Sequence, residues 1–262
     1  MKLLKDFKFR GKRALVRCDF NVPVDEQGNI LDDFRIQQSI PTIQYLKKQG
    51  AKIILMSHLG KPEGKVAPNL TMDKVQEVLV KYLKAPVTKT PDCIGFEVEQ
   101  YSFGLNQGEV LLLENLRFHQ EEIDNDPEFA KFLSTYGDIY VNDAFGVCHR
   151  NHASVVGVPQ HIPGCVGLLV EKEITNLGRL IRNPKRPVVV LIGGEKVETK
   201  APLIDNISRI ADYVLVGGLI KKEMDENNMI FKHQEKIVCP VDAVEFDGGI
   251  PDIGPKTIEF YK

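Results

Sequence analysis

Gly137-Asp138-Ile139-Tyr140-Val141 runs directly into Asn142-Asp143-Ala144-Phe145-Gly146-Val147-Cys148-His149-Arg150-Asn151-His152-Ala153-Ser154. The first five residues read as a short strand, apolar and β-branched with a glycine at the head. Asn142-Asp143 and Gly146 break the strand and deliver Cys148, His149, Arg150 and His152 just past its C-terminal end. In α/β proteins that edge is where loops meet in a crevice and ligands bind. His149, Arg150 and His152 can each carry positive charge, and at ~6 Å with an effective dielectric near 20 each charged pair costs about 3 kcal/mol. A bound anion would turn that repulsion into attraction. Two readings are open for the loop alone: an anion site, or solvated residues with His149 or His152 capping backbone groups.

Outward from this stretch the same pattern recurs. Ala14-Leu15-Val16-Arg17-Cys18, Lys52-Ile53-Ile54-Leu55-Met56 and Val110-Leu111-Leu112-Leu113 are further strand-like runs. Between them, Arg35 to Lys48 carries Ile36, Ile40, Ile43, Tyr45 and Leu46 on one helical stripe. Met72 to Leu83 repeats it with Val75, Val78, Leu79 and Tyr82. Thr71 is the expected N-cap of that second helix, and Pro86 stops it. Continuous apolar strands alternating with amphipathic helices predict a parallel sheet covered on both faces.

The ends of these strands are chemically alike. Strand one is followed by Asp19-Phe20-Asn21-Val22-Pro23, strand two by Ser57-His58-Leu59-Gly60-Lys61-Pro62, and the leucine run by Glu114-Asn115-Leu116-Arg117-Phe118-His119. Asp19 and Asn21 suit hydroxyl groups. Arg35, His58, Arg117 and Arg150 suit phosphate or carboxylate, since the planar arginine fork can hold an oxyanion through two N–H bonds. The alternative for these residues is a set of internal Asp–Arg ion pairs.

Gly167 to Asn183 predicts a helix with Val170, Ile174, Leu177 and Ile181 on one face, ended by Pro184 and Pro187. A second α/β unit then opens. Pro187 to Ile192 is a strand, Gly193-Gly194-Glu195-Lys196-Val197-Glu198-Thr199-Lys200 a turn, and Leu203, Ile204, Ile207 and Ile210 a helix face. Tyr213-Val214-Leu215-Val216 leads into Gly217-Gly218. A glycine pair before a helix lets backbone N–H groups approach a phosphate, to which Lys196 and Lys200 add charge. The spacing is not that of a Walker A loop. After Gly218 the pattern turns polar and irregular to Gln234, and Ile237 to Val244 reads as one more strand.

The bulk numbers narrow the class. The 262 residues, 43% hydrophobic and 27% charged, suit one large or two medium domains. A net charge of −2 gives no reason to expect nucleic acid. Five scattered cysteines, with no C-x-x-C pair, suggest neither a zinc knuckle nor a disulfide framework and fit a reducing cytoplasm. The expected location is therefore cytoplasmic, with no signal peptide, no membrane span and no metal site.

Several separated motifs resemble the phosphoglycerate kinase family. Arg17 to Pro23 resembles R-x-D-F-N-V-P, and Ser57 to Pro62 resembles S-H-L-G-[RK]-P. Asp92-Cys93-Ile94-Gly95, Glu114 to Phe118, and Asp143-Ala144-Phe145-Gly146 with His149-Arg150 and His152-Ala153-Ser154 follow in order. Gly193 to Lys200 resembles G-G-x-K-V-x-x-K, with Glu195 where alanine is usual. The resemblance implies an α/β protein with a Rossmann-like parallel-sheet domain over residues 1–168 that binds phosphoglycerate. A linker helix over 169–184 and an incomplete Rossmann-like nucleotide domain over 185–262 would follow it. It implies the glycolytic transfer of a phosphoryl group between 1,3-bisphosphoglycerate and ADP, giving 3-phosphoglycerate and ATP.

By that resemblance Asp19, Asn21, Arg35, His58, Arg117 and Arg150 line the phosphoglycerate site. Lys61 joins them where arginine is common. Arg35, Lys196 and Lys200 would be catalytic, and Gly193, Gly194, Lys200, Gly217 and Gly218 would bind Mg-ATP or Mg-ADP. The family's N-G-P-x-G and G-G-G-D-[ST] segments, which support nucleotide and Mg²⁺ binding, are absent from this sequence. The family's A-N-x-F-L is replaced by Leu219-Ile220-Lys221-Lys222-Glu223, while Cys239-Pro240-Val241-Asp242 and Asp252-Ile253-Gly254-Pro255-Lys256-Thr257 resemble later family segments. The expectation is a chain that loses a piece after Gly218 and then rejoins the family pattern. Three functional forms stay open: an enzyme acting alone, one chain of a split enzyme, and a phosphoglycerate-binding module without catalysis. The family is monomeric. A shortened second unit predicts an open apolar sheet edge or face, and with it self-association or a complementing chain.

Overall fold

Alternation along the apolar runs decides how they are used. In the computed structural model, which describes residues 1–194, 197–246 and 250–262, each run becomes a strand whose successive side chains enter different cores. The first unit, Met1–Thr175, contains β1 (Arg13–Arg17), α1 (Phe34–Lys48), β2 (Lys52–Met56), α2 (Asp73–Leu83), β3 (Thr88–Lys89), α3 (Phe96–Gly104) and β4 (Val110–Leu112). It continues with α4 (Gln120–Asp124), α5 (Pro127–Ser134), β5 (Ile139–Asn142), β6 (Gly164–Val166) and the start of α6 (Leu168–Arg182).

The six strands form one parallel sheet in the order β3-β4-β2-β1-β5-β6. Ala14, Val16, Ile53, Leu55, Val110 and Leu112 pack on one face with Ile36, Ile43, Val75 and Leu79 of α1 and α2. Leu15, Ile54, Leu111 and Tyr140 point the other way, onto Val98 of α3 and Phe129 and Leu133 of α5. Each fully buried aliphatic side chain contributes roughly 1.5–3 kcal/mol relative to exposure. The register therefore resists slipping, because one residue of slip would exchange the two cores. Thr71 is not the N-cap of α2: Met72 occupies that position, and the Thr71 hydroxyl instead donates to Asp73 Oδ2 at 2.7 Å.

The start of α6 is held by β5 and α1. Gly167 precedes it, and a Cβ there would lie 2.2 Å from Asp143 Oδ1, so only glycine fits. Thr42 Oγ1 accepts from Leu168 N at 2.9 Å, and Asp143 Oδ1 accepts from Leu169 N at 3.0 Å. Burial pushes the Asp143 carboxyl up to about 7, against the opposing pull of hydrogen bonding from Thr42, Leu169 and Val170, and its Oδ2 is buried with no partner. The folded protein thus keeps a proton that the unfolded chain releases near pH 4, so this group's contribution to stability is present below about pH 4 and fades as pH rises to about 7. Urea midpoints should fall from pH 5 to pH 8, and Asp143→Asn should remove much of that fall. An equal fall in the variant would assign the pH dependence elsewhere.

Along α6, Val170 is buried, whereas Ile174, Leu177 and Ile181 of the same stripe are exposed. In the second unit, Asn176–Lys262, β7 (Val189–Ile192), α7 (Val197–Ile207), β8 (Tyr213–Val216), α8 (Gly218–Glu226) and β9 (Ile237–Val238) precede β10 (Ala243–Phe246), β11 (Ile250–Ile253) and α9 (Pro255–Tyr261). β7, β8 and β9 form a parallel sheet, and β10 and β11 an antiparallel pair. The expected irregular stretch after Gly218 is instead helical through Glu226, because Ile220 and Met224, four residues apart, bury one face. The expected single strand over Ile237–Val244 is two strands in different sheets, parted around Pro240. Ile192, Val214 and Val216 face a core with Ile204 and Ile220. Val189, Leu191 and Tyr213 alternate onto the open side, each more than half exposed. No helix among the described residues is long and apolar enough to cross a membrane.

Candidate functional site

Every loop of interest in the first unit leaves the carboxyl end of a strand in one sheet, so the fold alone gathers them. Asp19 and Asn21 follow β1, His58 and Lys61 follow β2, Arg117 follows β4, and Arg150 and His152 follow β5. Arg35 stands in the first turn of α1. Asn21, Arg35, His58, Lys61, Arg117, Arg150 and His152 line one cavity of about 560 Å³, a size suited to a small metabolite. Asp19 sits behind it, with Oδ2 accepting from Arg35 Nη1 at 3.1 Å. That is one internal Asp–Arg pair of the kind weighed against an anion site. Arg117 and Arg150 have no carboxylate partner among the described residues, and the Arg35 side chain is 53% exposed despite its pair.

Local bonds shape the wall. Asn21 Oδ1 accepts from Gly60 N at 2.9 Å, joining the loops after β1 and β2. Arg117 Nη1 donates to Gly60 O at 2.8 Å, while its Nε is buried without a partner. Asn115 Oδ1 accepts from Leu59 N and Arg117 N at 3.2 and 3.1 Å, which fixes the arginine's backbone. Gly146 approaches so closely that a Cβ there would lie 2.8 Å from Asp19 Oδ2. His149 stays exposed, outside the cavity wall, and His152 is buried within it.

Four cationic side chains, Arg35, Lys61, Arg117 and Arg150, face the cavity against a single carboxylate, Glu63. This excess of positive charge shifts the proton equilibria of its neighbours. Burial, then Arg17, Arg117, His152 and Arg35, push the His58 imidazole far below its ordinary value. Burial, then Arg117, Arg17 and Arg150, push His152 down to about 4. Burial and then Arg17 also lower Arg117. His58, His152 and Arg117, each disfavoured in its charged form here, are groups that a bound anion would stabilise.

Sequence reasoning assigned no role to the layer beneath. Arg17 is fully buried at the end of β1, and its Nε donates to Ser154 Oγ at 2.7 Å. Ser154 Oγ and N donate to Glu122 Oε1 and Oε2 at 2.6 and 2.8 Å. The available signal was a charge in an otherwise apolar strand, which must be paired or hydrogen-bonded to be buried.

In the second unit, Gly193-Gly194 and Gly217-Gly218 end the adjacent strands β7 and β8. Gly217 N donates to Ile192 O at 2.9 Å, and a Cβ on Gly217 would lie 3.5 Å from Gly193 Cα. Gly194 has φ +108°, which favours glycine, and a Cβ built there would lie 3.7 Å from Lys200 Cε. Two side-chain-free turns beside a lysine suit phosphate oxygens. Lys196 lies outside the described residues. Among the described residues, the second unit holds no group of three His, Cys, Asp or Glu side chains placed to share a cation. The glycine turns and Lys200 thus offer partners of the kind that phosphate oxygens take.

Comparison with known proteins bears on both units. The family profile described as phosphoglycerate kinase matches residues 4–230. A phosphoglycerate kinase of Dictyoglomus turgidum is 42% identical over 300 aligned positions, covering 99% of this chain and 75% of that protein. One from Moorella thermoacetica is 50% identical over 215 residues, covering 82% of this chain and 54% of that protein. In three dimensions, phosphoglycerate kinase from Pyrococcus horikoshii OT3 superposes with a TM-score of 0.87 at 32% identity, covering 100% of this chain and 77% of that one. The 300-position alignment spans more positions than the 262 residues of this chain, so the relative carries internal residues that have no counterpart here.

Proposed function

Because the chain belongs to the phosphoglycerate kinase family, we propose that its first unit binds 3-phosphoglycerate and 1,3-bisphosphoglycerate for reversible phosphoryl transfer with ADP and ATP. The observation that carries this reading is the convergence of Arg35, Lys61, Arg117 and Arg150 on one cavity with His58 and Asn21. A three-carbon acid bearing a carboxylate and a phosphate satisfies such a wall at both ends. Asp19 and Asn21 are suited to its hydroxyl group.

Phosphoryl transfer between acyl phosphate and nucleotide needs alignment and charge neutralisation rather than a strong base. Arg35 is the group we assign to the phosphoryl oxygens in flight. It stands at the rim, half exposed, and Asp19 fixes its direction. Lys200, with the glycine turns at the ends of β7 and β8, is assigned to the nucleotide's phosphates. In this family Mg²⁺ accompanies the nucleotide and shields its charge. Unpaired thiols at Cys18, Cys93 and Cys165, all buried, suit a reducing cytoplasm.

A second reading is supported by the relatives' extra internal residues and by the missing N-G-P-x-G and G-G-G-D segments. In it the chain holds phosphoglycerate but turns over only when another chain completes the nucleotide half. Calorimetry separates the two. The expected result is clear binding of 3-phosphoglycerate to this chain. Mg-ADP binding of similar strength would establish the complete enzyme, and its absence the incomplete one. A chain that ignores 3-phosphoglycerate would sink both.

A further inference from the structure

We propose that Arg17 is a positioning residue for this cavity: its guanidinium claims Nδ1 of His58, which puts the ring proton on Nε2 and presents that nitrogen to an anionic ligand as a donor. The proposal rests on the reading of the cavity as the phosphoglycerate site.

Arg17 has no freedom to do otherwise. Nε donates to Ser154 Oγ at 2.7 Å, Nη1 to the carbonyl of Cys18, and Nη2 lies 3.1 Å from His58 Nδ1. A guanidinium has only donors, so Nδ1 must be the nitrogen with the lone pair. In an imidazole carrying one proton, that proton is then on Nε2. His58 Nε2 has no hydrogen-bond partner among the described residues, and His58 lines the cavity.

The chain of donors has a direction. Ser154 Oγ accepts from Arg17 and donates to Glu122 Oε1 at 2.6 Å, while Ser154 N donates to Glu122 Oε2 at 2.8 Å. Glu122 thereby anchors Ser154, Ser154 anchors Arg17, and Arg17 sets the tautomer of His58. A second proton on the imidazole is opposed by burial first, and then by Arg17, Arg117, His152 and Arg35. The ring is held as a donor of a single proton aimed at the cavity, and no change of charge is needed when the anion arrives. At metal centres the partners that orient a ligating histidine matter almost as much as the histidine itself, and the same geometric control operates on a donor to an anion.

The test is spectroscopic and uses the full chain without ligand. Long-range ¹H–¹⁵N spectra of histidine-labelled protein, with His58 identified by its loss in His58→Asn, should show an Nε2–H pattern that does not change from pH 5 to pH 8. Arg17→Gln should give a mixture of tautomers or a titrating ring, together with about tenfold weaker 3-phosphoglycerate binding by calorimetry, the effect of roughly 1.4 kcal/mol. Should that variant fail to fold, Arg17→Lys, which keeps the buried charge but not the fork, is measured in its place and should loosen the tautomer likewise. An Nδ1–H pattern or a titrating His58 in the unmodified chain would overturn the proposal. So would an unchanged pattern in a folded Arg17 variant. An Nε2–H pattern in a chain that fails to bind 3-phosphoglycerate would instead overturn the reading of the site.

Discussion

Replacing Glu122 with alanine is expected to lower stability by about 3–5 kcal/mol, the range for breaking one side of a buried charge network. Glu122 sits in α4 with no exposed surface. Burial raises its carboxyl, while Arg17, the Ser154 hydrogen bonds and Arg117 act in the opposite direction. Both its oxygens accept from Ser154, which is the pattern of an ionised carboxylate. Removal would leave Ser154 N and Oγ without an acceptor and Arg17, equally buried, without the carboxylate its charge reaches through Ser154. Glu122→Gln keeps the shape and one acceptor, so its cost should be smaller. Urea unfolding followed by circular dichroism measures both. A loss below about 1 kcal/mol for the alanine variant would show that Arg17 finds its compensation elsewhere.

The parts of this molecule that could be read from sequence are those that repeat. Leu15 and Val16, or Ile54 and Leu55, enter opposite cores because strand side chains alternate, and continuous apolar runs announce two covered faces. Once the strands were recognised, the placement of Asn21, His58, Arg117 and Arg150 at one sheet edge followed from the architecture. Three things were hidden. Helix α8 was masked by Lys221, Lys222 and Glu223, although Ile220 and Met224 stood at helical spacing. The break at Pro240 divided what looked like one strand, as a residue without an N–H donor can. Glu122 was hidden because Gln120-Glu121-Glu122 looks like any solvated acidic turn, and its partner Ser154 is 32 residues away. Local pattern carries no information about which of two adjacent carboxylates turns inward. Arg17 was legible as an anomaly, but its meaning depended on Ser154 and His58, neither of them near it in the chain.

Arg117→Ala should have the largest effect on ligand binding and almost none on folding. Its guanidinium is half-buried, donates to Gly60 O, and keeps a buried Nε without a partner. Burial and then Arg17 disfavour its charge, as does Arg150. Glu122 and Asp19 offset only part of this, so the folded protein carries the residue at a cost that a bound anion would relieve. Removing it should weaken 3-phosphoglycerate binding about 100-fold, since a charge-assisted, desolvated pair is worth roughly 2–4 kcal/mol. The same change deletes a repulsion, so the urea midpoint should stay level or rise, the signature of a site built against stability. Arg117→Lys keeps charge without the planar fork and should fall between the two. The joint outcome is what discriminates. Weaker binding with unchanged or greater stability marks Arg117 as a ligand group. A parallel loss of both would mean that the arginine is a structural brace for the loop after β2, and the cationic wall would need another explanation.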